Sequence, residues 1–557
     1  MCYNAYIIKN DKSYFMSKKT RKFIFIIGGV MSGVGKGVTA ASIGAILRSK
    51  GFSATALKAD PYVNVDAGTM NPVEHGEVFV TDDGDETDQD MGNYERFLEV
   101  DLDSNNYMTT GRIYQTVIEN ERSMKYKGKC VQVVPHIPEE IIRRIKDSAE
   151  KQDTDFTIVE IGGTVGEYEN ILFLEAARMM KLKNPGDVAS VLVSYLPVPA
   201  HIGEMKTKPT QHAARTLNSA GIQADMIVAR GPHDLDKPRR EKLAIFCGVD
   251  KDYCISAPDV DSIYKIPIKM DAQDVGNKLL KVLGIAPRKS DLARWKTLVK
   301  KIDNGKKTVK IAVVGKYFGT GQFTLADSYI SVIEAVKHGA WANDVKVKMD
   351  WVDSEEFEKS PAKLKNLKKY NGVIVPGGFG TRGVEGIIKA IQFARENKIP
   401  YFGLCYGMQL ASVEFVRNVL GKKKAHTVEF DSKTSEPVIH INPNQAKNVR
   451  ANRYGGTMRL GAYDCMLRKD TKTIKAYGLD QISERHRHRY EFNNKYREAI
   501  DKAGLQVVGI NPESDLVEIV ELKNHPFFVG VQFHPEFKSR PMNPHPLFKE
   551  FIKACSK

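Results

Sequence analysis

The chain has 557 residues, of which 42% are hydrophobic and 27% are charged. This length and composition suffice for several packed domains, and they exclude a disordered chain, a collagen-like chain and a small disulfide-stabilised fold. The seven cysteines are odd in number and scattered, which favours a reducing compartment. No apolar run approaches the ~18 residues of a membrane span, and residues 1–22 lack the hydrophobic core of a secretory signal. We therefore expect a soluble cytoplasmic protein without a membrane partner.

The net charge of +15 is concentrated in two segments. Residues 1–22 contribute +5 and residues 281–310 contribute +8, so the rest of the chain is nearly balanced. This distribution is typical of a basic tail and a basic connector rather than of a nucleic-acid-binding surface. We expect no nucleic-acid partner.

From residue 22 the sequence alternates short apolar segments with helical patterns. A helix is predicted over 39–50, ending before Gly51. Strands are predicted over 23–27, 156–161, 191–196, 226–229 and 253–256. Short apolar strands separated by helices are typical of a doubly wound parallel α/β sheet that is buried on both faces.

A second α/β pattern follows a break over 286–308, where Pro287, a lysine excess and Asn304-Gly305 indicate a connector. Helices are then predicted over 326–338 and 383–397, and strands over 310–314, 345–352, 372–375 and 401–404. The predicted organisation is an N-terminal extension (1–22), a first domain (23–285), a linker (286–308) and a second domain (309–557).

A glycine-rich turn over 28–37 follows the first strand and opens the first helix. Its glycines let backbone N–H groups approach phosphate oxygens, the helix N-terminus adds partial positive charge, and Lys36 adds a full one. The spacing departs from the common phosphate loop at Val30, which replaces a glycine, and at Gly37, which replaces the hydroxyl residue that binds magnesium. The turn nevertheless favours a phosphate site.

Because that hydroxyl is missing, carboxylates from elsewhere must hold any magnesium ion. The acidic run 82–90 is one candidate, and Glu160, at the end of a predicted strand, is another. A solvated loop explains the run 82–90 equally well. By itself, the segment 206–211, with two lysines, is more typical of a surface loop than of an anion site.

A possible nucleophile lies in the second domain, where Cys405 is flanked at ±2 by glycines between a strand and a helix. This is the layout of a nucleophile elbow with Cys in place of Ser. His534 and Glu536, two residues apart, can supply the base and its orienting carboxylate. Backbone N–H groups of the turn 375–380 can form an oxyanion hole. Together these features outweigh the alternative of an inert buried cysteine.

The second half thus resembles the class I glutamine amidotransferases, and the first half resembles ATP-dependent amidoligases. From about residue 23 to 551 the chain is similar to the CTP synthase family. The similarity is carried by the strings 58–71, 75–90, 160–166, 206–211, 259–267 and 484–491 (ERHRHRYE).

The resemblance implies a P-loop-type doubly wound domain joined to a class I glutamine amidotransferase α/β domain. It implies that ammonia from glutamine is transferred to carbon 4 of UTP after ATP has phosphorylated the O4 oxygen, in the last step of de novo CTP synthesis. The implied cofactor is Mg2+, with ATP and glutamine as co-substrates, GTP as an allosteric activator and CTP as a feedback inhibitor. Homotetramers, and in some cases filaments, are also implied.

The resemblance assigns site residues position by position. The catalytic triad matches Cys405, His534 and Glu536, and the magnesium ligands match Asp90 and Glu160. The ATP contacts match Gly33, Val34, Gly35, Lys36, Gly37, Val38, Asp90, Asp259, Val260 and Asp261. The UTP and CTP contacts match Ser32, Glu167, Tyr168, Glu169, Lys206, Thr207, Lys208, Pro209, Thr210, Gln211 and Lys242. The glutamine contacts match Gly378, Tyr406, Gly407, Met408, Gln409, Glu429 and Arg489.

Three features depart from the family pattern. Tyr406 replaces the commoner Leu, Tyr168 occupies a variable position, and residues 1–22 lie outside the match. Since Tyr406 keeps its backbone N–H, we expect the oxyanion hole to survive, while its effect on GTP activation stays open. Two alternatives remain at this point: another glutamine-dependent amidoligase that acts on a carboxylate, and a filament-forming scaffold. The paired lysines over 206–208 and the acids over 167–169 favour a nucleotide substrate.

Overall fold

The computed structural model describes residues 21–316, 319–320, 323–324, 326–378, 380, 382–441 and 458–557. The predicted N-terminal extension therefore lies outside the described residues, except for its last two. Within the described part, no helix has the length and apolar character needed to cross a membrane.

Seven strands, all parallel, form the first sheet. Their spatial order is Tyr107–Thr109, Ala54–Asp60, Phe156–Ile161, Lys22–Gly29, Val188–Tyr195, Met226–Gly231 and Cys254–Pro258. The α-helices of this part are Lys36–Ser49, Pro72–His75, Asp90–Leu98, Thr110–Arg122, Val133–Lys151, Ile171–Lys183, Lys208–Ser219, Lys237–Cys247, Ile266–Asp271 and Val275–Val282. Two apolar clusters bury the strands. The predicted doubly wound class is confirmed.

The second sheet has nine strands, five parallel and then four antiparallel. Their spatial order is Val345–Asp353, Lys307–Gly315, Gly372–Val375, Tyr401–Leu404, Phe528–Val531, Val517–Leu522, Leu505–Ile510, Arg459–Leu467 and Gln481–His488. The α-helices described around it are Ile330–Ala342, Glu355–Lys359, Val384–Glu396, Tyr406–Asn418, Lys472–Tyr477, Arg497–Ala503 and Pro546–Cys555.

Smaller sheets complete the described strands. Val78–Val80 pairs with Glu86–Asp88, and Gly319–Thr320 pairs with Phe323–Thr324, both antiparallel. The third small sheet contains Ala425–Thr427, Glu436–Ile441 and Tyr490–Phe492.

The structure differs from the sequence predictions in two strands of the first sheet. Ala54–Asp60 and Tyr107–Thr109 were not predicted. Lys58 and Asp60 interrupt the apolar pattern of Ala54–Asp60, although every residue of that strand is buried. The first helix begins at Lys36, three residues before the predicted start, because the glycine-rich turn leads directly into it.

The predicted linker contains the helix Ala293–Asn304. Its Trp295 and Leu298 are buried in the apolar cluster of the first domain, and the Trp295 ring lies 5.3 Å from that of Phe97. Lys296 and Lys300 on the same helix are exposed. The basic connector is therefore an amphipathic helix that packs by its apolar side.

Candidate active sites

Cys405 lies in the sharp turn between the strand Tyr401–Leu404 and the helix Tyr406–Asn418. Its φ of 48° is in the left-handed region, which is costly for a residue with a side chain and is found at functional turns. Gly407 is required by close packing, because a Cβ there would lie 2.3 Å from the carbonyl oxygen of Val375. The turn places the thiol at the N-terminus of the helix Tyr406–Asn418.

His534 and Glu536 form the second part of this site. The His534 Nδ1 atom lies 2.8 Å from Glu536 Oε1, and both side chains are buried. Burial opposes a charge on the imidazole, but Glu536 and Cys405 raise the pKa of His534 to about 10. The His534 Nε2 atom is buried without a hydrogen-bond partner among the described residues. The arrangement fits an imidazolium beside a nucleophilic sulfur at neutral pH.

A cavity of about 380 Å³ opens in front of the thiol. The second domain lines it with Cys405, His534, Glu536 and the glycines of the turn after Gly372–Val375, and the first domain lines it with Asn71, Glu77 and Val78. Gly377 packs against the His534 ring, since a Cβ there would lie 2.8 Å from His534 Cε1. The predicted oxyanion turn therefore lies at the thiol, although its residue 379 is outside the described residues.

Of the predicted glutamine contacts, Gly378 lines this cavity, and Glu429 and Tyr406 contact its lining glycines. Glu429 Oε1 accepts a hydrogen bond from the Gly380 amide at 3.3 Å. Burial raises the pKa of Glu429, whereas that hydrogen bond, Lys316 and Arg489 act in the opposite direction. The Tyr406 ring lies against Gly378, where a Cβ would be 3.7 Å from Tyr406 Cδ1.

Two further predicted glutamine contacts, Met408 and Gln409, are buried in the helix Tyr406–Asn418. Gln409 Nε2 donates to the Tyr490 carbonyl oxygen at 2.9 Å and to Gln532 Oε1 at 3.3 Å. Gln532 Nε2 in turn donates to Cys405 Sγ at 3.6 Å. The Gln409 side chain therefore supports the nucleophile through its neighbour.

Sequence reasoning missed Lys316, which lies directly after the strand Lys307–Gly315. Its Nζ atom donates to the Gly380 carbonyl oxygen and, at 3.3 Å, to the Tyr406 hydroxyl. Burial lowers the pKa of Lys316 to about 8, although Glu429 acts against the shift. A cation at the carboxyl end of a parallel strand was the available signal.

In the first domain, the glycine-rich turn over 28–37, which the sequence predicts to bind phosphate and which we call the phosphate turn, leads into the first helix. Gly33 and Gly35 have φ of 70° and 90°, and the helix begins at Lys36, whose Nζ donates to the Gly163 carbonyl oxygen at 2.9 Å. A Cβ at Gly37 would lie only 2.2 Å from Asp90 Oδ1. The residue after the lysine is therefore glycine because the Asp90 carboxylate occupies that space.

Asp90 and Glu160 meet at the buried ammonium group of Lys58. Lys58 Nζ lies 2.5 Å from Asp90 Oδ2 and 3.0 Å from Glu160 Oε1. Burial opposes ionisation of Asp90, but Lys58 brings the pKa of Asp90 below its usual value. Asp60, 3.7 Å from Lys58, forms with His75 and Asp88 a neighbouring group of possible metal ligands.

The acidic run 82–90 is not a solvated loop. Asp83 accepts hydrogen bonds from Thr81 and Ser104, Asp85 pairs with Arg112, and Asp82 and Glu86 pair with arginines of the second domain. Asp90 is the member that lies against the phosphate turn. Asp83 and Asp85 therefore make contacts within the first domain, and Asp82 and Glu86 make contacts between the domains.

The predicted pyrimidine-nucleotide segment 206–211 lies at the N-terminus of the helix Lys208–Ser219. Thr210 Oγ1 lies 2.8 Å from Ser194 Oγ, and Gln211 Nε2 donates to Thr207 Oγ1 at 3.0 Å. This helix packs on the phosphate turn, because a Cβ at Gly29 would lie 2.7 Å from Ala213 Cβ. The structure therefore brings this segment beside the turn.

The other predicted nucleotide contacts are more exposed. Glu167 lies against Gly163, since a Cβ there would lie 2.2 Å from Glu167 Oε2. The Gly163 carbonyl oxygen accepts from Lys36, so Glu167 is close to the phosphate turn. Tyr168 is 92% exposed, and Glu169 is also exposed. Lys242 is exposed on Lys237–Cys247, which packs beside Lys208–Ser219.

The predicted adenine segment, residues 259–261, is tied to the phosphate turn by Arg230, which the sequence analysis missed. Arg230 Nη2 donates to Asp259 Oδ1 at 3.1 Å, and Arg230 Nε lies 3.4 Å from where a Gly35 Cβ would be. Arg230 lies near the carboxyl end of the strand Met226–Gly231, directly after the predicted strand 226–229, so the same kind of signal was available for it.

Comparisons with known proteins cover nearly the whole chain. The CTP synthase N-terminus model matches residues 22–285, and the class-I glutamine amidotransferase model matches residues 324–554. The chain is 50% identical over 537 residues to the CTP synthase of Carboxydothermus hydrogenoformans, covering 96% of this chain and 99% of that one. This chain belongs to the CTP synthase family.

A second relative agrees with this assignment, and one solved structure is similar to part of the chain. The CTP synthase of Symbiobacterium thermophilum is 49% identical over 539 residues, with 96% of this chain and 98% of that one covered. The glutaminase domain of Trypanosoma brucei CTPS with bound acivicin is 40% identical, with a TM-score of 0.41, and covers 44% of this chain and 94% of that one. CTP synthases are glutamine-hydrolysing ligases, so both halves of this chain have a place in one reaction.

The packing of Asp90 against Gly37 predicts that restoring the common loop hydroxyl is harmful in this CTP synthase family member. In Gly37→Ser, the new Cβ displaces the Asp90 carboxylate, so we expect CTP formation from ammonium salt to fall about 100-fold. Glutamine hydrolysis should persist. CTP formation can be followed by absorbance, with Gly186→Ala as the control because a Cβ there meets nothing within 4 Å. Unchanged CTP formation in Gly37→Ser would contradict this account of the turn.

Proposed function

We propose that this chain aminates UTP to CTP by coupling two half-reactions, with the residue roles given below. The observation that carries the proposal is the cavity in front of Cys405, whose opposite wall belongs to the first domain. Family membership supports the reaction, and the phosphate turn with its nearby carboxylates supports ATP as the activating nucleotide.

In the first half-reaction, the Cys405 thiolate attacks the side-chain amide carbon of glutamine. The oxygen that becomes negative accepts hydrogen bonds from the backbone N–H groups of Gly378 and Tyr406. His534 gives its proton to the departing nitrogen, which leaves as ammonia, and a thioester to Cys405 remains. Water then attacks the thioester while His534 takes its proton. The C–S bond breaks, which releases glutamate and restores the Cys405 thiolate, and Glu536 holds the ring throughout.

In the second half-reaction, the O4 oxygen of UTP attacks the terminal phosphorus of ATP, and ADP leaves. Ammonia then adds to carbon 4, and the C–O bond breaks as phosphate departs with the electron pair. Lys36 and the backbone N–H groups of residues 33–38 bind the ATP phosphates, and Lys206, Lys208 and Lys242 bind the UTP phosphates. Residues 167–169 contact the pyrimidine and ribose, and residues 259–261 contact adenine.

Asp90 and Glu160 are the residues that would hold Mg2+. They fit the ion because their carboxylate oxygens converge on one buried cation, the Lys58 ammonium, and oxygen ligands are those that magnesium prefers. When bound, Mg2+ supplies positive charge that neutralises the phosphates during transfer.

Ammonia must reach carbon 4 unprotonated, because ammonium has no lone pair. An enclosed passage from the Cys405 cavity into the first domain meets this need better than diffusion through water. Glu77 in the wall of the cavity is buried, and burial raises the pKa of Glu77 to about 8. A raised pKa disfavours the carboxylate form of Glu77, which would hold ammonium.

Regulation and assembly follow the family in this proposal. GTP activates the glutaminase reaction, CTP inhibits through the phosphate site that it shares with UTP, and the protein works in the cytoplasm as a homotetramer that can form filaments. Apolar side chains exposed on the first domain, Ile118, Met124, Val133 and Ile171, support burial against other copies.

The two alternatives are disfavoured for specific reasons. Family membership opposes an amidoligase that acts on a carboxylate. The intact His534–Glu536 pair and the strained Cys405 oppose a scaffold without activity, since an inactive protein has no need to keep this geometry. Incubation of the protein with UTP, ATP, Mg2+ and glutamine, followed by detection of CTP, tests the proposal directly.

The assignment of Cys405 predicts that Cys405→Ala separates the half-reactions. Without the sulfur, glutamine-dependent CTP formation should fall by several orders of magnitude, because alanine leaves no comparable attacking atom in this turn. Ammonium salt should restore CTP formation, increasingly at alkaline pH as the unprotonated fraction rises. Cys130→Ala, which removes an exposed thiol, serves as the control. Glutamine-dependent activity in Cys405→Ala, or no rescue in a folded variant, would refute the assignment.

The assignment of Asp90 and Glu160 predicts the reverse separation. Asp90→Asn and Glu160→Gln should lose CTP formation from either nitrogen source, because the negative charge of the ATP phosphates is not neutralised without bound Mg2+. Glutamine hydrolysis should persist. Asp83→Asn is the matched control, since Asp83 belongs to the same acidic run but bonds to Thr81 and Ser104. Normal ATP-dependent turnover of both variants at low magnesium would exclude these two ligands.

The shared phosphate site predicts that Lys208→Ala weakens UTP and CTP together. Both nucleotides carry the same triphosphate, so a loss of about tenfold, or about 1.4 kcal/mol, is expected for each. UTP affinity is measured by steady-state kinetics and CTP affinity by inhibition, with the exposed Lys251→Ala as the control. A loss confined to UTP would mean that CTP binds its phosphates elsewhere.

A further inference from the structure

The helix Asp90–Leu98 lies between the two reaction centres. Its first residue, Asp90, contacts Lys58 and the phosphate turn, and its Tyr94 hydroxyl donates to Glu160 Oε2. Glu95, the next residue, is fully buried and is directed at the second domain. One short rigid element therefore touches the ligase site and the domain contact.

Glu95 binds two arginines of the second domain. Its Oε2 atom accepts from Arg485 Nη1 at 2.9 Å and from Arg540 Nη2 at 2.5 Å, and its Oε1 atom accepts from Arg485 Nη2 at 3.1 Å. Arg485 and Arg540 also contact Asp101, whose side chain is 58% exposed, and Arg485 contacts Asp82, whose side chain is 38% exposed. Glu95 is the fully buried carboxylate of this group.

Both arginines hold the chain segment of the glutaminase base. The backbone carbonyl oxygen of Arg485 accepts the amide proton of His534 at 2.8 Å. Arg540 Nη1 donates to the carbonyl oxygen of Phe537 at 2.8 Å, at the end of the short 3-10 helix Pro535–Lys538 that contains Glu536. The His534 ring stacks on Phe537 at 5.1 Å. Glu95 therefore binds the two arginines whose other hydrogen bonds hold His534 and Phe537.

A buried ionic contact of this kind adds little net stability, because desolvation of the three charged groups offsets their attraction. The contact instead fixes the relative orientation of its groups, because paired guanidinium–carboxylate hydrogen bonds are directional and apolar packing is not. A displacement of about 1 Å at a catalytic group can cost about 100-fold in rate.

We propose that Glu95 of the ligase domain is a positioning residue for glutamine hydrolysis, holding His534 and Glu536 in line with Cys405 through Arg485 and Arg540. The competent glutaminase geometry then depends on the docked first domain, and the helix that provides Glu95 begins at the ligase residue Asp90. This inference rests on the proposed roles of Cys405 and His534, which the Cys405→Ala experiment tests separately.

The test uses the full chain with Glu95→Gln, which keeps the shape of the side chain and removes its charge. We expect the kcat for glutamine hydrolysis to fall at least about tenfold with little change in KM, because the base is misplaced while the glutamine contacts remain. CTP formation from ammonium salt should stay within about twofold of the original protein, since Glu95 touches no ligase substrate.

A second readout separates positioning from simple loss of packing. Alkylation of Cys405 by iodoacetamide reports the thiolate, which His534 stabilises, so its pH profile should move to higher pH in Glu95→Gln. Subtraction of the rate in Cys405→Ala removes the signal of the other thiols. Tyr264→Phe is the matched control, because the Tyr264 hydroxyl makes a different buried contact between the domains, with Glu334 at 2.8 Å and His338 at 2.9 Å.

The outcomes are distinct. A selective loss of glutaminase kcat with a shifted alkylation profile, absent from Tyr264→Phe, supports the proposal. An unchanged profile and kcat, or an equal loss of ammonia-dependent synthesis, overturns it. If Glu95→Gln does not fold, Arg540→Lys provides the same two readouts, since lysine keeps the charge but not the paired geometry. Cys405→Ala retaining glutaminase activity would instead refute the underlying proposed function.

Discussion

The contact of Glu95 with Arg485 and Arg540 is the interaction on which the relation between the two reaction centres depends. It is buried, charged and directional, and it joins domains that each have their own sheet and apolar core. Guanidinium and carboxylate groups removed from water tolerate few arrangements, because any unpaired charge there is costly. The first domain lines the cavity at Cys405 with Asn71, Glu77 and Val78, and Glu77 is held there by hydrogen bonds from the amide and hydroxyl groups of Ser331 in the second domain.

Close packing of charged groups also determines the structure of the ligase site. Asp90 lies so close to the phosphate turn that position 37 has no room for a side chain. Lys58 neutralises Asp90 and Glu160 where they would otherwise repel each other in a buried place. The turn lacks the common loop hydroxyl at position 37 because the Asp90 carboxylate occupies that space. This departure from the common phosphate-loop spacing is therefore not a sign of lost nucleotide binding.

Much of the fold could be predicted, and the misses have a common cause. The strands 156–161, 372–375 and 401–404 were predicted with the observed bounds because they are short, continuous apolar runs. The strand Ala54–Asp60 was missed because charged residues such as Lys58 and Asp60 are typical of surface positions when only the sequence is considered. The connector was predicted only as a basic segment because of its lysine excess, whereas Trp295 and Leu298 attach it to the core.

The sequence by itself determined the fold class and the family and predicted the reacting groups, because those depend on local patterns: the glycine-rich turn before Lys36, the elbow around Cys405 and the closely spaced His534 and Glu536. Only the tertiary structure decided which distant charges meet. Lys58 with Glu160, Arg230 with Asp259 and Glu95 with Arg485 are separated by 102, 29 and 390 positions. Whether a charged side chain is solvated or buried against a partner depends on how the sheets and domains pack, and no local pattern records that.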